Sequence, residues 1–188
     1  VSDRGLKETL VQVSLDNPSN LKQLLEALKG LPEMQAYVMD TAWDKGEECR
    51  VPAIEAIRFL ETEELQSRSL WRAVAEAEGA GEAGVYEEKS LAALVSIAPF
   101  LEDAQWQEDI FDRALGDKRR KIRETLLKTL PDLQGNPWQD KIVAFGLRLS
   151  ETDPNAQKAI NMILSRLGRN QPELAVRLMR HGYEHWEI

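Results

Sequence analysis

The chain is short of cysteine and histidine. Its 188 residues hold one cysteine, Cys49, and two histidines, His181 and His185. A lone cysteine excludes an internal disulfide framework and fits a reducing, cytoplasmic setting. No apolar run approaches the ~18 residues of a membrane span, and no signal peptide opens the chain. β-branched alternation is almost absent, which argues against sheet. There is no G-x-x-x-x-G-K-[ST] phosphate loop and no G-x-S-x-G elbow. His181 and His185 sit four apart beside Glu184, a spacing that can bind zinc, yet the chain offers no obvious further ligand. The pair reads as part of a solvated terminal helix, and neither a metal nor another cofactor is expected.

What the chain does hold is apolar residues (43%) and charge (30%), enough for a core and for one domain over 1–188. The first residue is valine, which fits a trimmed chain or a piece of a longer protein. The 24 Lys and Arg face 32 Asp and Glu, a net charge of −8, so a uniformly basic nucleic-acid binder is disfavoured. The charge is uneven: residues 1–112 hold 23 acids and 10 bases, while residues 113–180 hold 7 acids and 14 bases. The basic segment is where nucleic acid would bind, if at all.

Helical periodicity runs throughout. Trp138, Ile142, Phe145 and Leu149 share one face, with Asn136 as N-cap and Pro137 in the first turn. Trp106, Ile110, Phe111 and Leu115 repeat the idea. Thr62 and Leu65 open a long helix, and Gly79, Gly81 and Gly84 close it with a loop. The pattern predicts helices near 3–15, 20–30, 33–45, 50–60, 63–78, 87–101, 103–115, 119–131, 138–150, 155–167 and 171–186. Trp71, Trp106 and Trp138 are expected in the core, and Cys49 as a buried small hydrophobe. Trp43 and Trp186 fit their stripes less well and are candidates for a contact surface. Adjacent carboxylates such as Glu47/Glu48, Glu63/Glu64 and Glu87/Glu88 point about 100° apart on a helix and read as solvated faces, not as acid–base pairs.

Four segments align with one another: 16–28, 49–60, 117–130 and 153–168. A base follows the first apolar position in three of them (Lys22, Arg50, Arg123), and the spacing is near 34–37 residues, the period of stacked helix pairs. The pattern resembles HEAT repeats, whose second helix reads D-P-x-x-V-R-x-x-A-x-x-A-L. Asp153, Pro154, Ala156, Ala159, Leu164, Leu167 and Gly168 carry the match, with Gln157 in the arginine position. The resemblance implies an all-α, curved α-solenoid of about five antiparallel helix pairs with a C-terminal capping helix. It also implies an ion ladder drawn from Asp16, Lys22, Arg50, Asp117 and Arg123. The absence of any His-Glu pair separates the chain from the HEAT-type di-iron hydroxylases.

Residues 158–181 are similar to the late helices of HEAT-type DNA-alkylation-repair glycosylases, through Lys158, Ala159, Ile160, Leu164, Pro172 and Glu173. There Met162 replaces a tryptophan, and no position matches the family's aspartate. Two functions follow. The first is a non-catalytic scaffold presenting second-helix side chains to a protein partner, with Arg120, Lys121, Lys128, Lys158 and Asn161 as candidate contacts and no catalytic residue. The alternative is a nucleic-acid-binding protein of the repair type.

Overall fold

A computed structural model describes residues 17–79 and 87–184. Among these the chain is all helical, with ten α-helices and no strand. They are α1 (Leu21–Ala27), α2 (Pro32–Asp44), α3 (Glu47–Ala56), α4 (Glu63–Gly79) and α5 (Glu88–Ile97), then α6 (Ala104–Gly116), α7 (Arg120–Lys128), α8 (Trp138–Ser150), α9 (Pro154–Asn170) and α10 (Pro172–Glu184). The expected helix at 3–15, Asp16, most of the glycine loop, His185 and Trp186 lie outside the described residues, as does the side chain of His181. No described helix is long and apolar enough to cross a membrane.

The contacts divide the chain into two compact units, one up to Ile97 and one from Ala98 onward. Within each unit a helix packs on the next and on the next but one. In the first unit α1, α3 and α5 touch in series, and α2 touches α4. In the second, α7 touches α9, and α6, α8 and α10 touch in series. Side-by-side contact of alternate helices makes two layers in each unit. Apolar residues at helical spacing fill the space between them: Leu21, Val38, Ile54, Leu70 and Leu94 in one unit, and Phe111, Ile122, Leu126, Ile142 and Ile160 in the other.

The helix ends follow from local chemistry. Thr62 accepts from the Leu65 amide at 3.3 Å, and Asn136 accepts from the Trp138 amide at 2.9 Å, as the sequence predicts. Asp103 and Asp153 cap α6 and α9 in the same way, through Gln105 and Asn155 at 2.8 and 2.9 Å. These bonds satisfy amides that a helix leaves without intrahelical partners. Glu87 does so for α5, accepting from the amides of Lys89 and Ser90. Burial pushes its carboxyl up, but those hydrogen bonds outweigh burial and leave its pKa below the ordinary value. Between α1 and α2 the chain turns through Gly30 at φ 83°, a left-handed conformation that favours glycine.

A recurring fastening joins the layers. After α3, α5 and α7 the chain makes a short 3₁₀ turn, at Ile57–Phe59, Ala98–Phe100 and Leu130–Asp132. A glutamine in the first turn of a following helix reaches back to a carbonyl at or just after the turn. Gln66 donates to Leu60 O at 2.9 Å, Gln107 to Leu101 O at 2.7 Å, and Gln139 to Leu130 O at 3.4 Å. Gln35, fully buried, donates to Leu25 O at 3.1 Å and accepts from the Glu61 amide at 3.1 Å. Gln171 donates to Pro131 O at 3.3 Å and accepts from the Gln139 side chain. Buried carbonyls at helix ends must be paired, and these amides pair them.

Asp16 lies outside the described residues, and among those described Lys22, Arg50, Asp117 and Arg123 do not form the expected ion ladder. Lys22 lies over the Phe59 ring at 5.0 Å, Arg50 pairs with Glu76 at 3.4 Å, and Asp117 pairs with Arg119 at 2.6 Å. Arg123 donates to the backbone carbonyl of Asp117 at 3.2 Å, a structural role inside one turn. Arg119, two residues from Asp117 and next to the helix start, reaches it with less chain ordering than a residue of another helix pair. Ion pairs that bridge alternate helices include Arg68–Asp40 and Arg72–Asp44, each 28 residues apart, and Arg177–Asp140. The two equal offsets show that α2 and α4 run in the same direction.

Two tryptophan expectations are reversed. Trp43 is buried at 6% exposure beneath the Arg72 guanidinium, 5.6 Å from its ring, and Trp71 is 67% exposed. The buried face of α4 is Gln66, Leu70, Ala73 and Ala77, and Trp71 points about 100° or more away from each of them. Trp106, Trp138 and Cys49 are buried as expected.

Candidate functional site

Helices α7 and α9 together carry seven cations and one acid. The strip preceding and opening α7 reads Asp117, Lys118, Arg119, Arg120, Lys121. Apolar Ile122, Leu126 and Leu127 turn this helix inward and are fully buried, so its polar residues are left on the surface. Lys121 and Lys128 are exposed and seven residues apart, roughly 10 Å along the axis. Arg120, also exposed, is held by Glu124 at 2.6 Å. The hydrogen bond from Arg120, with the charges of Lys128 and Lys121, keeps the Glu124 carboxyl below its ordinary pKa.

Helix α9 buries Ala156, Ala159, Ile160, Ile163 and Leu167. Lys158, Asn161, Met162, Ser165 and Arg169 are left exposed, with Asn161 accepting from Gln157 at 3.0 Å. Leu164 is only partly buried. Lys158 and Asn161 border an open cleft of about 340 Å³ at the α8–α9 turn, lined also by Ser150, Glu151, Thr152, Asp153, Pro154 and Gln157. The structure thus brings Lys158 and Asn161 to one cleft. Arg120, Lys121 and Lys128 are on the helix that packs against α9 and are not part of that cleft.

Asp117 shows how this region is balanced. Burial raises its pKa, but hydrogen bonds from the Arg119 side chain and amide, with the charges of Arg119 and Arg123, hold the carboxyl below its usual range. Burial pushes the Cys49 thiol up, away from the reactive thiolate. Among the described residues no three His, Cys, Asp or Glu side chains are grouped so as to hold a metal ion.

Comparison with known proteins adds no relative. No family model, curated protein or solved structure matches the chain. The chemistry of the exposed helix faces is therefore what bears on function. Sequence reasoning placed its five candidate residues on the surface of α7 and α9. It missed the exposure of Met162, whose signal was its place one residue before the buried Ile163 in a helix of period 3.6.

Proposed function

We propose that the chain is a HEAT-like α-solenoid acting as a non-catalytic scaffold in a reducing, cytoplasmic setting. It binds an acidic segment of a partner protein on the surface of α7 and α9, through Arg120, Lys121, Lys128, Lys158 and Asn161. The observation that carries the reading is the direct packing of these two helices, each turning exposed cations to solvent. Glu124, set between Lys121 and Lys128, weakens a purely phosphate-binding surface and suits a mixed-charge protein contact. Solenoids built from stacked pairs use such second-helix surfaces for recognition.

The test is the double charge reversal Lys121→Glu with Lys128→Glu in the full chain. Both side chains are exposed, so the far-ultraviolet circular dichroism should be unchanged. Fluorescence anisotropy with a labelled glutamate-rich peptide should show binding by the parent chain and loss of at least tenfold in the variant. Tight, steeply salt-dependent binding of duplex DNA, or release of an alkylated base, would replace this reading with the repair-type one. An unchanged affinity for the peptide would place the interface elsewhere, with the acidic first unit next in line.

A further inference from the structure

The exposed face of α9 is unusual for a solvated helix. Helix α9 contains Lys158, Arg166 and Arg169 and not one acid in its 17 residues. Its surface therefore lacks the i, i+4 charge pairs that usually neutralise such a face. Arg166 reaches out of the helix to Asp132, and Lys158 makes no ion pair with a described residue. Centred among these cations is Met162, 60% exposed. Lys158 lies four residues before it, Ser165 and Arg166 three and four after it, and Arg169 seven after it. At about 100° per residue all of these fall within roughly 60° of Met162, so they form one stripe some three turns long.

We infer that this stripe is the docking surface for an acidic amphipathic helix of a partner protein, with Met162 as its apolar anchor. The inference rests on the scaffold reading above and narrows it, from an acidic segment of any conformation to an amphipathic helix. Charge complementarity selects an acidic occupant. Met162 selects one that also brings apolar side chains, because an unbranched thioether adapts its shape to whatever apolar group meets it. A phosphate backbone has nothing apolar to offer it, and the stripe carries no aromatic ring on which a base would stack. The length of the stripe matches the i, i+3/4, i+7 anchors by which a helix is read along a surface.

The experiment uses the full chain with ¹³C-methyl-labelled methionine and three probes. The first is an 18-residue peptide of leucine and glutamate with leucines on one helical face. The second is the same composition scrambled so that no apolar face forms. The third is a 20-base-pair DNA duplex. The Met162 methyl resonance is assigned from Met162→Gln, an exposed substitution that leaves the helical spectrum intact. The expected result is that the amphipathic peptide shifts the Met162 methyl and binds at least tenfold more tightly than the scrambled one. Met162→Gln should remove that preference, and Lys158→Glu with Arg169→Glu should weaken both peptides. Equal binding of the two peptides overturns the helix and the anchor. Binding that responds to Lys121→Glu with Lys128→Glu while the Met162 methyl stays still overturns this inference and leaves the scaffold reading standing. Binding of the duplex alone, or of no probe, overturns both.

Discussion

Gly146 of α8 lies against Leu127 of α7 so closely that a methyl group on the glycine would stand 2.6 Å from Leu127 Cδ2. Leu127 is fully buried, and Ile160 Cδ1 is 3.7 Å from the same point, so the leucine has little space into which to retreat. Glycine here sets how near α7 and α8 approach. Gly146→Ala combines a gain in helix propensity of about 1 kcal/mol with an overpacking cost of about 1–3 kcal/mol. A net loss of about 1 kcal/mol is expected in urea denaturation. In a Leu127→Ala background the clash is gone, and the same substitution should become stabilising. A cycle showing no coupling between the two positions would contradict this contact.

Gln107 donates to Leu101 O at 2.7 Å and accepts from Asn136 at 2.8 Å, so one side chain satisfies two groups of different helix ends. Gln107→Leu keeps the bulk and strands both partners. The expected loss is about 1–3 kcal/mol by chemical denaturation. Gln107→Glu, which retains the acceptor and loses the donor, should fall between the two.

Leu126 is fully buried, whereas Leu164 is only partly so. Leu126→Ala should cost about 2–5 kcal/mol through the cavity it leaves. Leu164→Ala should cost about half as much, since solvent already reaches part of the side chain. Equal losses would mean that α9 is rotated so that Leu164 is as deeply buried as Leu126.

The tryptophans give a paired test. Trp43→Ala removes a buried ring and should destabilise by about 3–5 kcal/mol. Trp71→Ala, at a position 67% exposed, should change stability by no more than about 0.5 kcal/mol. Intrinsic fluorescence offers a second readout. Loss of Trp71 should remove much of the emission that acrylamide quenches, and loss of Trp43 little of it.

Acid should act through Asp117. Its pKa is lowered in the folded chain, so it binds fewer protons there than in the unfolded chain. Its stabilising contribution is complete above the unfolded value, about 4, and disappears as pH falls through the lower folded value. The stability difference between the parent and Asp117→Asn should therefore be constant from pH 7 to about 5 and shrink below about 4. A difference that does not change with pH would show that the carboxylate charge is not what Asp117 contributes.

Much of the fold was legible because helical period and turn residues act locally. Each described helix overlaps a predicted one, and the caps at Thr62 and Asn136 were readable from residue type and place. What failed was decided at longer range. Trp43 lies at the edge of the buried stripe of α2, while Trp71 lies outside that of α4, where one residue of register turns a side chain from core to solvent. The ion ladder was expected from residue types at repeat spacing, but Asp117 is taken by Arg119 two residues on, and Arg50 by Glu76 of the next helix. The glutamine fastening left a trace that is visible once its geometry is known. Residues 60–66, LETEELQ, and 101–107, LEDAQWQ, share leucine, glutamate, a capping residue and glutamine in register. At the candidate site, exposure of the lysines followed from the polar face of each helix. The cleft at Lys158 is made by the α8–α9 turn, whose shape no periodicity encodes.

The glutamine amides that fasten one layer to the other carry no charge and do not titrate. Salt screens the exposed Arg68–Asp40 and Arg72–Asp44 pairs between α2 and α4, and has no comparable hold on the buried amide of Gln35. The first unit thus has two kinds of joint with different sensitivities. Rising ionic strength therefore weakens the arginine–aspartate joints between α2 and α4 while the buried glutamine joint keeps its strength.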